Sequence, residues 1–476
     1  MTKKLIISTV ASMAILTTCA NAVSLEDRIL KLENIIQKQQ KTIKNLSSLN
    51  ALELEDEIEE LDERLETVET RSFTDKIQLG LGMRVEANNI TTTYADGSKP
   101  ANEDIIWRTK LNLNMKAKIA HNLKFTGKLS SYKNWGDSNT NTSAYANIDS
   151  RQGRTPDNTS ALFVERAYLD WNMNPSSYIP VTMTLGRQPS SDGPSYQIKE
   201  GMTRKGTYDA LAFDGAADGI VFTANLSKLA KSTSARIAYG TPSNTSNNGS
   251  ATSTVEDTKV TGLFVDTSFE NIGQDNLFQI YHVMAKDFNA DASGAAGKND
   301  TNVGDFDVSG LMFEVNNLSN FDFFAHYARS LAKPNGKTVN MSSMGGSATS
   351  GLLSSTSSTE EQSGHAIWLG TRYNFTSKWS LGAEYNKGSK NWFSFTYAPN
   401  DPLNKLATRG TATEIYVSKE INKYANIRLG HVNIDYDYTG SAMHLSSPMT
   451  MSEAQAAGAN PVKEKQNTYL TFNVLF

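Results

Sequence analysis

Between Leu25 and Val68 the apolar positions fall at alternating steps of three and four. Leu25, Ile29, Leu32, Ile36, Ile43 and Leu46 form one register, with Gln39 filling a seam position. Asn50 ends it, and a second register displaced by one residue runs through Ala51, Leu54, Ile58, Leu61, Leu65 and Val68. Pro and Gly are absent from 25–70. This is a heptad seam with a skip, so an α-helical coiled coil is expected over 23–72, roughly 70 Å long at ~1.5 Å per residue. Its first half carries Lys31, Lys38, Lys41 and Lys44, and its second half is strongly acidic from Glu53 to Glu69. A lone amphipathic helix is the alternative. Ile and Leu on the seam lean towards two strands.

From Phe73 the period changes to two. Ile77, Leu79, Leu81, Met83 and Val85 alternate with Gln78, Gly80, Gly82, Arg84 and Glu86. Trp107, Thr109, Leu111, Leu113, Met115, Ala117 and Ile119 alternate with Arg108, Lys110, Asn112, Asn114, Lys116 and Lys118. The pattern continues to Leu470, Phe472, Val474 and Phe476. Segments of about ten residues with one apolar and one polar face are strands. Short connections, near 120–122, 174–178, 227–232, 270–276, 316–320, 376–377 and 421–424, alternate with long ones rich in Ser, Thr, Asn and Gly. The long ones lie near 87–104, 134–159, 188–207, 241–257, 288–304, 331–363, 390–410 and 437–466, which makes about 16 strands with both ends of the barrel on the short-turn side. The segment 208–226 is awkward: it crosses Asp214-Gly215 and Asp218-Gly219, so it is either a long bulged strand or contains a turn. A soluble sandwich shows the same local alternation. The loop asymmetry favours an all-β, transmembrane antiparallel β-barrel over 73–476, preceded by the coil.

Composition narrows the compartment. After residue 22 no apolar run reaches the ~18 residues of a membrane helix. A pI of 6.0 and a net charge of −4 speak against nucleic acid as a partner. Lys3 and Lys4, the apolar stretch Leu5–Leu16 and Ala20-Asn21-Ala22 read as a signal peptide over 1–22, with Val23 the mature start. The single Cys19 would leave with it; acylation of Cys19 is the rival reading, against which Thr18 stands. The ending with Leu470, Phe472, Val474 and Phe476 reads as the closing strand and C-terminal assembly signal of an outer-membrane barrel.

This order of parts resembles Gram-negative outer-membrane porins. The segments 164–170 (Val-Glu-Arg-Ala-Tyr-Leu-Asp) and 185–194 (Leu-Gly-Arg-Gln-Pro-Ser-Ser-Asp-Gly-Pro) look like an uncharacterised porin-like family of epsilon-class proteobacteria that also carries an N-terminal coiled coil. The resemblance covers roughly 164–219 and implies the cell outer membrane, with its lipid and the barrel assembly machinery as partners. General porins are usually trimers, so it also implies a homotrimer, with a dimer as the alternative. Their infolded third loop carries a Pro-Glu-Phe-Gly-like motif that is absent here.

If the odd, apolar positions face lipid, Arg84, Arg108, Lys110, Lys116, Lys118, Lys124 and Lys128 form a basic wall inside, with Glu86 the one acid expected nearby. Such a wall favours anions in a narrow passage. Weak selectivity and cation preference stay open, because the barrel as a whole has no net charge. The third long loop, 188–207, is the candidate constriction: folded inward, its Asp192, Glu200 and Arg204 would face the wall. No His pair stands at zinc-ligand spacing and Gly-x-Ser-x-Gly is absent, so neither a metal, a cofactor nor a catalytic residue is expected. His326 reads as a lumen residue, and Trp135, Trp392, Phe393, Phe395 and Tyr397 as rim girdle or loop packing. The expected function is a porin for small hydrophilic solutes or ions. The alternative is a structural anchor whose coil tethers the outer membrane to peptidoglycan.

Overall fold

The computed structural model describes residues 25–46, 77–100, 105–135, 162–204, 206–215, 217–243, 256–290, 301–340, 349–396 and 401–476. The signal segment 1–22 and the second half of the expected coil lie outside the described residues. Of that coil, helix α1 (Leu25–Leu46) is described. Along 29–41 the seam positions Ile29, Leu32, Ile36 and Gln39 are half-buried and the others exposed, as the first heptad register requires.

Separately, 77–476 forms a closed antiparallel barrel. Its strands are β1 (Ile77–Tyr94), β2 (Ile105–Ala120), β3 (Leu123–Asn134), β4 (Phe163–Asn172), β5 (Val181–Arg187), β6 (Asp218–Asn225), β7 (Thr233–Ser243) and β8 (Thr258–Thr267). The circle continues with β9 (Asp275–Lys286), β10 (Gly304–Leu318), β11 (Phe321–Pro334), β12 (Gln362–Asn374), β13 (Trp379–Gly388), β14 (Gly410–Asn422), β15 (Ala425–Tyr436) and β16 (Val462–Leu475). Each strand pairs with its neighbours in sequence, and β16 returns to β1 from Gly82↔Leu475 to Tyr94↔Val462. The expected count of sixteen and the alternation of long and short connections are both met. One boundary differs: the third long connection runs from 188 to 217, and the strand expected over 208–226 is only Asp218–Asn225. Residues 209–212 turn instead, because Asp209 accepts from the backbone N–H of Leu211 (3.0 Å) and its carbonyl from that of Phe213 (2.8 Å).

Period-two alternation becomes burial directly. In β13 exposed and buried residues alternate without a break. Outward positions form an apolar belt, including Leu79, Leu263, Ile280, Leu369, Leu381, Ile415 and Phe472. At the short-turn rim the belt ends in aromatic rings, where Phe321 stacks on Tyr373 at 4.5 Å. So continuous an apolar exterior on a closed barrel has no soluble explanation. The barrel resides in the outer membrane.

Inside, the expectation of a polar lumen holds for only part of the circumference. Inward residues of β8–β11, among them Phe264, Val283, Phe306, Val308 and Ala332, pack against Tyr208, Ala212, Phe288, Leu352, Leu353, Phe393 and Leu445 from the long connections. Loops folded into a barrel mouth lose water on every side and need a core of their own. Phe393 belongs to this core and Trp392 is buried in a second one with Tyr196 and Trp368, whereas Trp135 is exposed and stacks on Trp107 at 5.0 Å. Tyr397 lies outside the described residues. Phe306 is fully buried at the centre of this core. Phe306→Ala is expected to lower the unfolding free energy by about 3–4 kcal/mol, read from the urea midpoint of the refolded barrel.

Candidate functional site

The connection 188–217 lies across the lumen. Its base is closed by the backbone N–H of Gln188 donating to the Ala217 carbonyl (2.7 Å). Its two limbs touch so closely that a Cβ on Gly193 would lie 1.9 Å from the Tyr208 carbonyl oxygen, so only glycine fits. A short helix, α2 (Tyr196–Glu200), ends at Gly201 with φ 64. A side chain there would meet both the left-handed backbone and the Arg372 guanidinium, 2.3 Å from its Cβ.

Polar ties reach from this loop to strands all around the barrel. Glu314 of β10 accepts from Ser195 Oγ (2.9 Å), Gln197 Nε2 (2.9 Å) and Arg204 Nε (2.6 Å). Glu200 receives Arg84 of β1 (2.7 Å) and Arg428 of β15 (2.9 Å). Asp192 receives Lys128 of β3 (3.1 Å), and Lys199 donates to Glu414 of β14 (3.2 Å). Burial alone would push the Glu200 carboxyl up, but Arg428, Arg84 and Lys199 outweigh it and hold it at about 2. Asp214, fully buried on the returning limb, is pushed up to about 8 by burial first and then by Asp192.

Ser195 Oγ also lies 2.8 Å from His326 Nε2, and His326 Nδ1 is bonded to Asp209. The chain Ser–His–Asp has the connectivity of a hydrolase triad. Here Ser195 is 1% exposed, is absent from the cavity wall and shares its hydroxyl with Glu314. The trio ties two points of the loop to β11. Sequence reasoning had no signal for it, since Ser195, Asp209 and His326 are far apart in the chain.

The loop confines a cavity of about 500 Å³ against β1–β4 and β14–β16. Of the expected basic wall, Arg84, Lys110, Lys116 and Lys128 line it. Arg108 is buried behind, donating to Glu86 (Nε, 2.9 Å). Lys118 and Lys124 stand opposite each other beside the short β2–β3 turn, exposed and away from the cavity. Glu86 is not the only acid here: Glu165 of β4, which the alternation of charges on β1–β3 could not show, pairs with Lys128 (2.6 Å). Lys110 rests 4.7 Å from the Tyr132 ring centroid. Arg166, the cross-strand partner of Lys128, and Lys199, Arg204 and Arg428 also line the cavity, with Glu86, Asp192, Glu200, Asp401 and Glu414 as the lining acids. Cations therefore outnumber acids on its wall. The loop acids pair with the wall instead of facing it at a distance. Lys405, from the connection 389–409, is buried between Glu384 (2.6 Å) and Glu414. The terminal residues Leu470, Phe472 and Phe476 face outward, and Phe476 N–H donates to the Leu81 carbonyl (2.9 Å). Val474 pairs with Met83 and Ala425.

A closed sixteen-stranded barrel with an apolar belt, a long connection folded across its lumen and a charged cavity beside it is an outer-membrane β-barrel of porin-like architecture. Residues 100–476 match a family described as protein of unknown function (DUF3373), and the chain belongs to that family. No curated protein matches the chain. Among solved structures, OprB of Pseudomonas putida is 9% identical, with 86% of this chain and 96% of that one covered and a TM-score of 0.48. OmpF of Salmonella typhi is 12% identical (85% and 99% covered, TM-score 0.45). The outer membrane channel DcaP of Acinetobacter baumannii is 12% identical (84% and 97% covered, TM-score 0.45).

Glu314→Ala removes the acceptor of three loop residues and leaves Arg204 to Asp275 alone. It should cost about 3 kcal/mol and expose 188–217 to protease while the barrel stays folded, as read by limited proteolysis and gel mobility. Asp214 gives a pH dependence. A carboxyl raised in the folded state from 3.8 to about 8 contributes stability that is complete below its unfolded value. That contribution is lost as pH rises through about 8. Asp214→Asn stays neutral throughout, so its thermal unfolding should match the parent near about pH 3 and exceed it by a growing margin from about pH 5 to about pH 8, levelling off above that.

Proposed function

We propose that this protein is a porin through which small hydrophilic solutes or ions diffuse, with anions preferred. The observation that carries this reading is the cavity beside the infolded loop. It is about 500 Å³ and lined by more cations than acids. Lys116 on its wall has no ion pair among the described residues. Fixed positive charge along a narrow passage raises the local concentration of anions and their rate of entry. Arg84, Lys110, Lys116 and Lys128 act as the selective wall in this reading, and Asp192, Glu200 and Arg204 hold the constriction in place.

The heptads over 23–72 support self-association, and the proposed assembly is a homotrimer with these segments as a coiled coil. Leu470, Phe472, Val474 and Phe476 are proposed as the strand that the barrel assembly machinery reads.

Single-channel conductance of refolded protein in a planar bilayer under a KCl gradient tests the reading. Open steps with an anion-selective reversal potential are expected. Lys116→Glu combined with Lys110→Gln should lower the chloride-to-potassium permeability ratio by about two- to fivefold. Cation selectivity in the parent would keep the channel and remove the role given to the wall. Folded protein without conductance would overturn the porin reading in favour of an anchor, with peptidoglycan binding as its assay.

A further inference from the structure

The upper outer wall carries two cations, Arg329 and Lys387, that no ion pair among the described residues neutralises, with His365 beside them. Arg329 of β11, His365 of β12 and Lys387 of β13 are all exposed and point away from the lumen, on three consecutive strands. Arg329 and His365 are direct cross-strand partners. Lys387 is opposite Ile367, which places it diagonal to His365. Side chains at such positions lie within about 5–8 Å of each other. Arg329 donates to Ser363 Oγ (3.0 Å), and neither Arg329 nor Lys387 has an ion pair among the described residues. Other outward cations at the long-loop end do face acids: Lys259 faces Glu256, Lys286 Asp305, Lys333 Asp307 and Arg187 Asp218. Going up β12, the next acid is Glu361, two outward positions above His365.

Directly below these three side chains the wall turns apolar. Tyr327, Ile367 and Tyr385 form the next outward positions, all exposed, followed by Ala325, Leu369 and Ala383. Along β11 the apolar face then runs down to the aromatic rim at Phe321. A charge facing hydrocarbon is costly at mid-membrane and tolerated near the interface, so this row stands at headgroup level. The matching occupant has an anionic head above and apolar chains below.

We propose that Arg329, His365 and Lys387 form a binding site for the phosphate of an amphiphilic lipid on the outer wall of the barrel, with its acyl chains along β11–β13. This site is independent of the lumen and of whether the channel conducts.

The test uses the folded full-length protein in detergent and native mass spectrometry. The probes are diphosphorylated lipid A, its dephosphorylated form and inorganic phosphate. The parent is expected to bind the diphosphorylated form about tenfold or more tightly than the dephosphorylated one. Arg329→Gln with Lys387→Gln should remove that difference, while Lys419→Gln at the short-turn rim should leave it intact. If the double variant does not fold, Lys387→Gln alone should weaken binding about fivefold. Unchanged lipid A binding in a folded variant overturns the proposal. Displacement of lipid A by inorganic phosphate at comparable concentration would make it a free-phosphate site and also overturn it. So would a variant that loses its oligomeric state but not its lipid, because the row would then be a contact between copies.

Discussion

Hydrocarbon offers no hydrogen-bond partner to a backbone, so a sheet in lipid cannot keep an edge. Everything else in the barrel follows from the pairing of β1 with β16, which removes the last one. Closure fixes which residues face outward, because the side-chain period of two cannot slip without turning every apolar residue inward. It also encloses a space too wide for strand side chains alone to fill. The long connections enter that space, and their chemistry decides what remains of it.

They divide the lumen unequally. Beside β8–β11 the interior is an apolar core built jointly by strands and loops, centred on Phe306 and Phe393. Beside β1–β4 and β14–β16 it stays charged and keeps a cavity. The connection 188–217 runs between the two environments. Tyr208 and Ala212 on its returning limb join the core, while Asp192, Lys199 and Glu200 join the charged side. A loop held at one side by packing and at the other by buried ion pairs has few alternative positions. Removing one partner of such a pair leaves an uncompensated charge. The acids that pair with the basic wall are also those that seat the loop.

The outside of the barrel obeys a different rule from the inside. Inward charges can reach partners on facing strands and loops, as Lys128 reaches Glu165 and Asp192. Outward charges can only pair with neighbours on the same surface or with the lipid. Lys286 and Lys333 have neighbouring acids; among the described residues Arg329 and Lys387 form no ion pair. The same residue types therefore carry different meanings according to the face on which the alternation puts them.

Much of this was legible in the chain. The period of two, the alternation of long and short connections and the aromatic ending are local properties, and they determined the barrel, its strand number and the outward face. The heptad spacing likewise marked helix α1. The inward orientation of Arg84, Lys110, Lys116 and Lys128 also followed from alternation. What the chain could not show was who meets whom across the lumen. Glu314 gathers Ser195, Gln197 and Arg204 from more than a hundred residues away. Glu165 answers Lys128 from the next strand, and Asp209 reaches His326. The true end of the third connection at 217 depended on Asp209 capping a turn, the alternative to a long bulged strand that the sequence had left open. Local periodicity is set by the backbone of one segment, whereas these pairings are set by the closure of sixteen strands, and only the closed barrel brings their partners within reach.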